Sequence, residues 1–481
     1  MNNIDFAKNI LLDNTDLSDI KLLTILNSTL KNKINYSDIY FQYKYQESWM
    51  LENNIIKSAY YNIDKGISIR TFNKKNINFS YSDKISEKHL YKIIKESNIN
   101  QYNDKNKKTK IWKKINKYQN SYDNPLLSIS NEEKINLLKL IKNEAKKQDS
   151  RVKKITCLLS GSYEIILIIS TEGIFTADIR PLVNLNINII AEKNKKYEIS
   201  NYSKSKRNTY DILLKNNNWK KYTTEAVKKS IINLYSIEYS ENSKKLIPVI
   251  LGPGNPGILI HEVIGHGLEA DFNRKKISFF HDKMNKKIAT NLCTIVDNGS
   301  LKNKRGSLNI DDEGTKTQCT TIIENGILKS YLQDKINANL MNAKLTGNAR
   351  RESYKHIPIP RMTNTYILPG KSTHKEIINN VENGIYISSF SKCQIKINSG
   401  NFIFFTNEAY NIKHGKITYP IKSIKLIGNG PDILKKIIMI GNNLKITSEI
   451  LTCIKNNQKI PICVGQPTIL INQMMIYKNK K

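Results

Sequence analysis

The stretch Gly257-Ile258-Leu259-Ile260-His261-Glu262-Val263-Ile264-Gly265-His266-Gly267-Leu268 sets two imidazoles and a carboxylate in an apolar run that reads as a helix. Two histidines with an adjacent acid can bind a divalent metal and activate water. The spacing here is His-Glu-x-x-x-His, one residue longer than the His-Glu-x-x-His of zinc-peptidase helices. The extra residue is a geometric constraint. Positions i and i+4 of a regular α-helix lie roughly 40° apart, whereas i and i+5 lie roughly 140° apart. His261 and His266 can therefore share a metal only if the helix is distorted, and a single π-bulge returns both to one face. Gly265 and Gly267 bracket His266 and make that distortion cheap. With only 7 histidines in 481 residues, two in one such motif argue against an ordinary core helix.

A chain of this length holds two or more domains with buried cores. In the first half, Ile67–Phe72 and Ile77–Tyr81 alternate with period two and read as paired strands. Ser130 with Glu133 is a capping-box start for a helix whose apolar stripe is Leu137, Leu138, Ile141 and Ala145. From Val152 onward the pattern is β-rich. Ile165–Ser170 and Ile174–Ile179 flank Thr171-Glu172-Gly173 as a hairpin, and Leu182–Ile190 reads as a further strand. A packing helix is expected around Thr224–Ser236. The polar stretch Glu238–Lys245 is the best boundary. After it come a buried strand, Leu246–Leu251, a tight loop, Gly252–Gly257, and the histidine helix. Gly252, Gly254 and Gly257 match G-x-G-x-x-G, but Pro253 and Pro256 remove N–H groups that a phosphate cradle needs. The remainder is rich in strands and turns, with punctuation at Asn298-Gly299, Asn325-Gly326 and Asn383-Gly384. The expected fold class is α+β in two domains: a mixed α/β domain over 1–237, and a mainly β domain over 246–481 carrying the metal-binding helix.

Lysine and arginine number 76 against 42 acids, a formal charge of +34. Such an excess signals nucleic acid or anionic surfaces when it is clustered. Here the lysines are scattered among asparagines and isoleucines, residues with AT-rich codons, which points to a biased genome. The densest run, from Lys105 to Lys117 around Trp112, carries no recognisable binding motif, so no nucleic-acid partner is expected. No stretch approaches the ~18 apolar residues of a membrane span. The N-terminus has no basic start followed by an apolar core, so neither a signal peptide nor a membrane is expected. Cys157, Cys293, Cys319, Cys393, Cys453 and Cys463 are widely spaced and form no disulfide framework. The simplest location is the cytoplasm.

A catalytic zinc usually has three protein ligands and an open position. Spacing does not choose the third. Glu269, three residues past His266, lies on a neighbouring helical face and could ligate or support a ligand. His281, Cys293, Asp311, Asp312 and Cys453 are also chemically capable.

These residues, together with Ile310–Thr315, Gly347–Tyr354, Pro360–Thr365, Leu368–Ser372 and Val464–Pro467, resemble the TldD/PmbA family of metallopeptidases, in particular its metal-bearing TldD branch. The likeness is close over about 246–470 and weaker before 240. It implies a zinc-dependent peptidase acting on small peptides or unfolded segments. It also implies that His261, His266 and Cys453 hold the zinc and that Glu262 is the catalytic acid/base. Cys463 and the segment Phe390-Ser391-Lys392-Cys393 fall where the family pattern is glycine-rich. Arg350, Arg351 and His356 are candidate donors to substrate or oxyanion. A homodimer, or a heterodimer with a PmbA-type paralogue, is expected. Competing readings are a non-catalytic partner subunit, against which the intact motif argues, and a metal-dependent hydrolase of a non-peptide amide.

Overall fold

The computed structural model describes residues 2–30, 34–73, 76–96, 109–110, 112–114, 124–239, 244–422 and 424–478. The basic run from Lys105 to Lys117 lies largely outside these residues, as do 240–243 of the expected boundary.

Residues 36–206 build one long-stranded sheet in the order Ile77–Ser82, Ile55–Phe72, Tyr36–Glu52, Val152–Ser170, Ile174–Lys193. Lys196–Lys206 pairs with the last of these. The two short strands expected to pair do so, with Ile67 opposite Ser82 and Phe72 opposite Ile77. One face is covered by helices. Asn131–Gln148 begins at the expected capping box, with both reciprocal bonds formed, and buries Leu137, Leu138, Ile141 and Ala145. The last helix runs Asn218–Tyr235, starting earlier than the sequence suggested, because Trp219 and Tyr222 pack into the core and recruit the preceding turn. On the opposite face Tyr40, Ile166 and Ile168 meet Ile310 and Tyr354 from the second half of the chain. With both faces covered, Ile165–Ile169 is an unbroken buried run, as strands enclosed on both sides require.

One expectation is corrected here. Leu182–Ile190 is not a separate strand: Ile174–Lys193 continues through Pro181. Pro181 sits opposite Tyr163, while pairing to the strand on its other side begins only at Val183. Proline is tolerated at such an edge position, so it does not end the strand.

From residue 237 the chain is mainly β. One sheet curls until it closes, since Asn383–Lys396 pairs with both Lys245–Leu251 and Asn401–Lys413. A second sheet contains Cys319–Glu324, Ile295–Asn298, Asn364–Ile367 and Gln458–Gln466. The hairpin strand Leu451–Lys455 extends from it. The histidine segment lies between these sheets, burying Leu259, Ile260, Val263, Ile264 and Leu268 in their shared core.

Candidate metal centre

The strand Lys245–Leu251 delivers the chain into a loop pinned to a neighbouring strand. Gly254 N–H donates to the Gln466 carbonyl at 3.0 Å, and the Gln466 side chain donates to the Gly252 carbonyl at 3.0 Å. A 3₁₀ turn at Asn255–Gly257 then opens the helical segment. A Cβ at Gly257 would lie 2.8 Å from the backbone of Gly465, so only glycine lets the segment rest directly on that strand. This close approach brings the hairpin carrying Cys453 over the two histidines.

The expected distortion is present. Ile258–Ile260 is α-helical, His261–Gly265 is π-helical, and His266–Leu268 is a 3₁₀ turn. The His266 N–H donates to the His261 carbonyl, an i→i−5 bond that adds the residue the spacing demanded. The two imidazoles face each other edge to face, with ring centroids 5.1 Å apart. Cys453 joins them: the donor atoms of His261, His266 and Cys453 all lie within 4.8 Å of one another, and all three residues are buried. The Cys453 Sγ is 3.2 Å from His266 Nε2.

The donor set fits a metal. Both ring nitrogens of His261 are buried without a hydrogen-bond partner among the described residues, a costly arrangement for an imidazole unless something else occupies it. Burial opposes the thiolate form of Cys453, but His266 and His261 overcome it and hold the thiol well below its ordinary range. Two imidazoles and a thiolate form a zinc-type set with room for an open position.

Around this set lies a supporting chain of charges. His266 Nδ1 is 3.0 Å from Glu269 Oε2, which fixes the ring so that Nε2 points at Cys453. Glu269 meets the Lys455 ammonium at 2.9 Å, and Lys455 reaches Asp271 at 2.7 Å. Burial pushes the Glu269 carboxyl up, but Lys455 and His266 pull it down to about 2. Cys453 and Lys455 are two apart on one strand and so share a face. One short strand thus supplies both a donor atom and the cation that anchors the carboxylate behind the other donor. Arg361 ties that strand down, donating to the Cys453 carbonyl at 2.7 Å.

The other sequence candidates fall elsewhere. His281 Nδ1 sits 2.8 Å from the Ser278 carbonyl, and Cys293 lies beside Thr290. Asp311 receives N–H groups of Glu313, Thr315 and Ala349. Asp312 receives Arg180 and the Arg351 N–H. Arg351 donates to Ser68 and to the Asp312 carbonyl, and His356 pairs with Ser353, so neither is aimed at the histidines. Cys463 is buried in register with Asn364. Glu262 is half-buried and lies in hydrogen-bonding reach of the Cys393 thiol, which burial and this carboxylate push up to about 12. The roles of Lys455 and Arg361 and the Cys393–Glu262 contact were missed by the sequence reading. Lys455 at i+2 from Cys453 was the one available signal.

A mixed α/β fold in which two histidines of a π-distorted helical segment meet a strand cysteine presents one buried group of side chains that could hold a metal ion. Family models agree over most of the chain: PmbA/TldA metallopeptidase domain 1 matches 37–98, the central domain 124–234, and the C-terminal domain 243–478. The chain belongs to the TldD/PmbA family. It is 44% identical to the "Metalloprotease TldD homolog" of Buchnera aphidicola subsp. Schizaphis graminum, covering 97% of both chains. It is 40% identical to that of Haemophilus influenzae over 98% of both. A "Zinc metalloprotease TldD homolog" of Saccharolobus solfataricus is 28% identical, covering 87% of this chain and 91% of that protein. Among solved structures, TldE from Thermococcus kodakarensis superposes with a TM-score of 0.73 at 17% identity, covering 95% of this chain and 99% of that one. That likeness concerns the fold.

Proposed function

We propose that this chain is a zinc-dependent peptidase that hydrolyses peptide bonds in small peptides or unfolded segments. The observation that carries the reading is the gathering of His261, His266 and Cys453 around one point, with Glu262 next to the first histidine on the same distorted turn. Zinc bound there would supply a water of lowered pKa and polarise the scissile carbonyl. Glu262 accepts the proton of the attacking water and delivers it to the leaving amine. Glu269 holds His266 in the tautomer whose Nε2 is free to ligate. An extended, unstructured substrate suits a recessed centre flanked by strand edges.

Residues 1–237 and 246–481 act in this reading as two domains, the second carrying the metal helix. The active form is a homodimer or a heterodimer with a PmbA-type paralogue, located in the cytoplasm. Among the described residues no helix is long and apolar enough to cross a membrane. The test is digestion of a diverse library of unstructured peptides by the zinc-loaded protein, alone and mixed with such a paralogue, before and after chelation. Chelator-sensitive cleavage is the expected result. No cleavage in either mixture would sink the reading.

A further inference from the structure

Between the first sheet and the Cys453 hairpin lies a cavity of about 420 Å³ with an unusual wall. Arg180, Arg207, Arg305, Arg350 and Arg351 all line it. Two of these are neutralised. Arg180 pairs with Asp178 at 3.0 Å and Asp312 at 2.7 Å. Arg351 lies 4.0 Å from the Asp38 carboxylate and is also bonded to Ser68 and the Asp312 carbonyl. Among the described residues, the other three have no carboxylate within ion-pair distance.

Arg305 is buried, yet it donates only to neutral oxygens: the Leu451 carbonyl at 2.9 Å, Asn184 at 2.7 Å and Ser205 at 2.9 Å. Arg350 is buried, and its side chain makes one bond among the described residues, from Nη1 to the Met362 carbonyl at 2.8 Å. The Nε of Arg207 is buried with no hydrogen-bond partner among the described residues. The carboxylates in the wall are committed elsewhere. Glu47 pairs with Lys134 at 2.8 Å, Glu352 accepts the Lys459 N–H at 2.8 Å, and Glu164 accepts from Gln42. Glu164 and Asp178 reach Arg207 only through longer-range attraction.

Gathering uncompensated guanidinium groups out of water is expensive. Burial lowers the Arg207 and Arg305 guanidinium groups to about 10, with repulsion from Arg180 adding at Arg207 and from Arg207 at Arg305. Burial, with Arg207 adding repulsion, lowers Arg350 to about 9. A fold retains such a cluster at least cost when an anion completes it. Planar guanidinium forks suit oxyanions.

We propose that Arg207, Arg305 and Arg350 form an oxyanion-binding site that takes a carboxylate or phosphate group. Its position gives it a route to the metal centre. Thr452, Ile460 and Pro461 of the hairpin line the cavity, and Cys453 is the residue next to Thr452 and opposite Ile460. Arg350 holds the carbonyl of Met362, whose sulfur packs on Gly265 of the π-turn. An anion seated here sits one strand away from the metal donors.

The test is calorimetric titration of the metal-loaded protein with inorganic phosphate, with a short unstructured peptide bearing a free C-terminal carboxylate, and with its C-terminal amide. Arg207→Gln is compared, with the surface variant Lys139→Gln as control. The expected result is binding of phosphate or of the free-acid peptide that weakens about tenfold or more in Arg207→Gln and is unchanged in Lys139→Gln. Preference for phosphate identifies a free anion as the source. Preference for the free acid over the amide identifies a peptide terminus. Since the Arg207 side chain holds no other group among the described residues, Arg207→Gln should fold and melt at or above the wild-type temperature without ligand. Failure of both phosphate and free acid to bind overturns the proposal. So does binding indifferent to Arg207→Gln, which would place the anion at the metal centre. These outcomes do not depend on peptide cleavage, so failure of the peptidase reading is distinguishable.

Discussion

At the scale of single residues, the proposed chemistry divides between groups that would hold the metal and one that would handle protons. Glu262 follows His261 in sequence but is not among the gathered donors. Glu262→Gln is therefore expected to retain zinc and to lose peptide hydrolysis by ~10²–10⁴-fold, the usual worth of general acid–base assistance. Metal analysis alongside a peptide assay checks it. Zinc lost from this variant would make Glu262 a ligand, and full activity would pass the base role to Glu269. Cys453→Ala should lose stoichiometric zinc, because a methyl group offers no donor and leaves two imidazoles alone. Full zinc occupancy in that variant would remove Cys453 from the site. The Cys393–Glu262 contact places a thiol beside the proposed base in a segment where glycines were expected.

At the scale of elements, the π-turn decides whether the donors converge. Gly265 lies at its end, and a Cβ there would meet the Met362 sulfur at 1.8 Å. Gly265→Ala must displace Met362 or the turn, so weaker zinc binding and a lower melting temperature are expected. A variant with wild-type affinity and stability would show that the packing around the turn is slack. A second element carries a pH signature. Asp334 caps the helix Lys335–Met341 by accepting the Asn337 N–H at 2.7 Å. Burial, with repulsion from Glu313, raises its carboxyl from 3.8 to about 7. The folded state thus holds this proton more tightly than the unfolded chain. That contribution is fully present below pH 3.8 and is lost as pH rises through about 7. Asn caps as well as Asp but carries no charge. Asp334→Asn should therefore melt higher than wild type at pH 8, with little gain at pH 4. Equal shifts at both pH values would contradict the assignment.

At the scale of the whole molecule, the first sheet is riveted to the second half of the chain by buried ions. Arg70 donates through Nε to Asp38 at 3.0 Å and through Nη1 to Glu313 at 2.6 Å, all three buried. Removing one partner strands the remaining charges, typically at about 3–5 kcal/mol. Arg70→Met should lose stability on that order in urea unfolding, and an unchanged midpoint would show the rivet to be dispensable.

Much of the local structure was legible because it depends on near neighbours. The Ser130–Glu133 box, the Ile67–Phe72 and Ile77–Tyr81 pairing, and the i+5 spacing that forces a π-turn follow from periodicity and capping alone. That Ile174–Lys193 runs on as one strand through Pro181 depends on which side of that strand goes unpaired there, and only the sheet shows that. By itself the sequence determined the two imidazoles, the adjacent carboxylate and the distortion they impose, since these are set within two helical turns. Cys453 came from a family likeness, not from spacing. Only the tertiary structure decided that Gly257 meets Gly465, that Lys455 backs Glu269 behind His266, and that Arg207, Arg305 and Arg350 share one cavity. Those contacts join residues far apart in the chain, and packing between sheets selects them where no local pattern can.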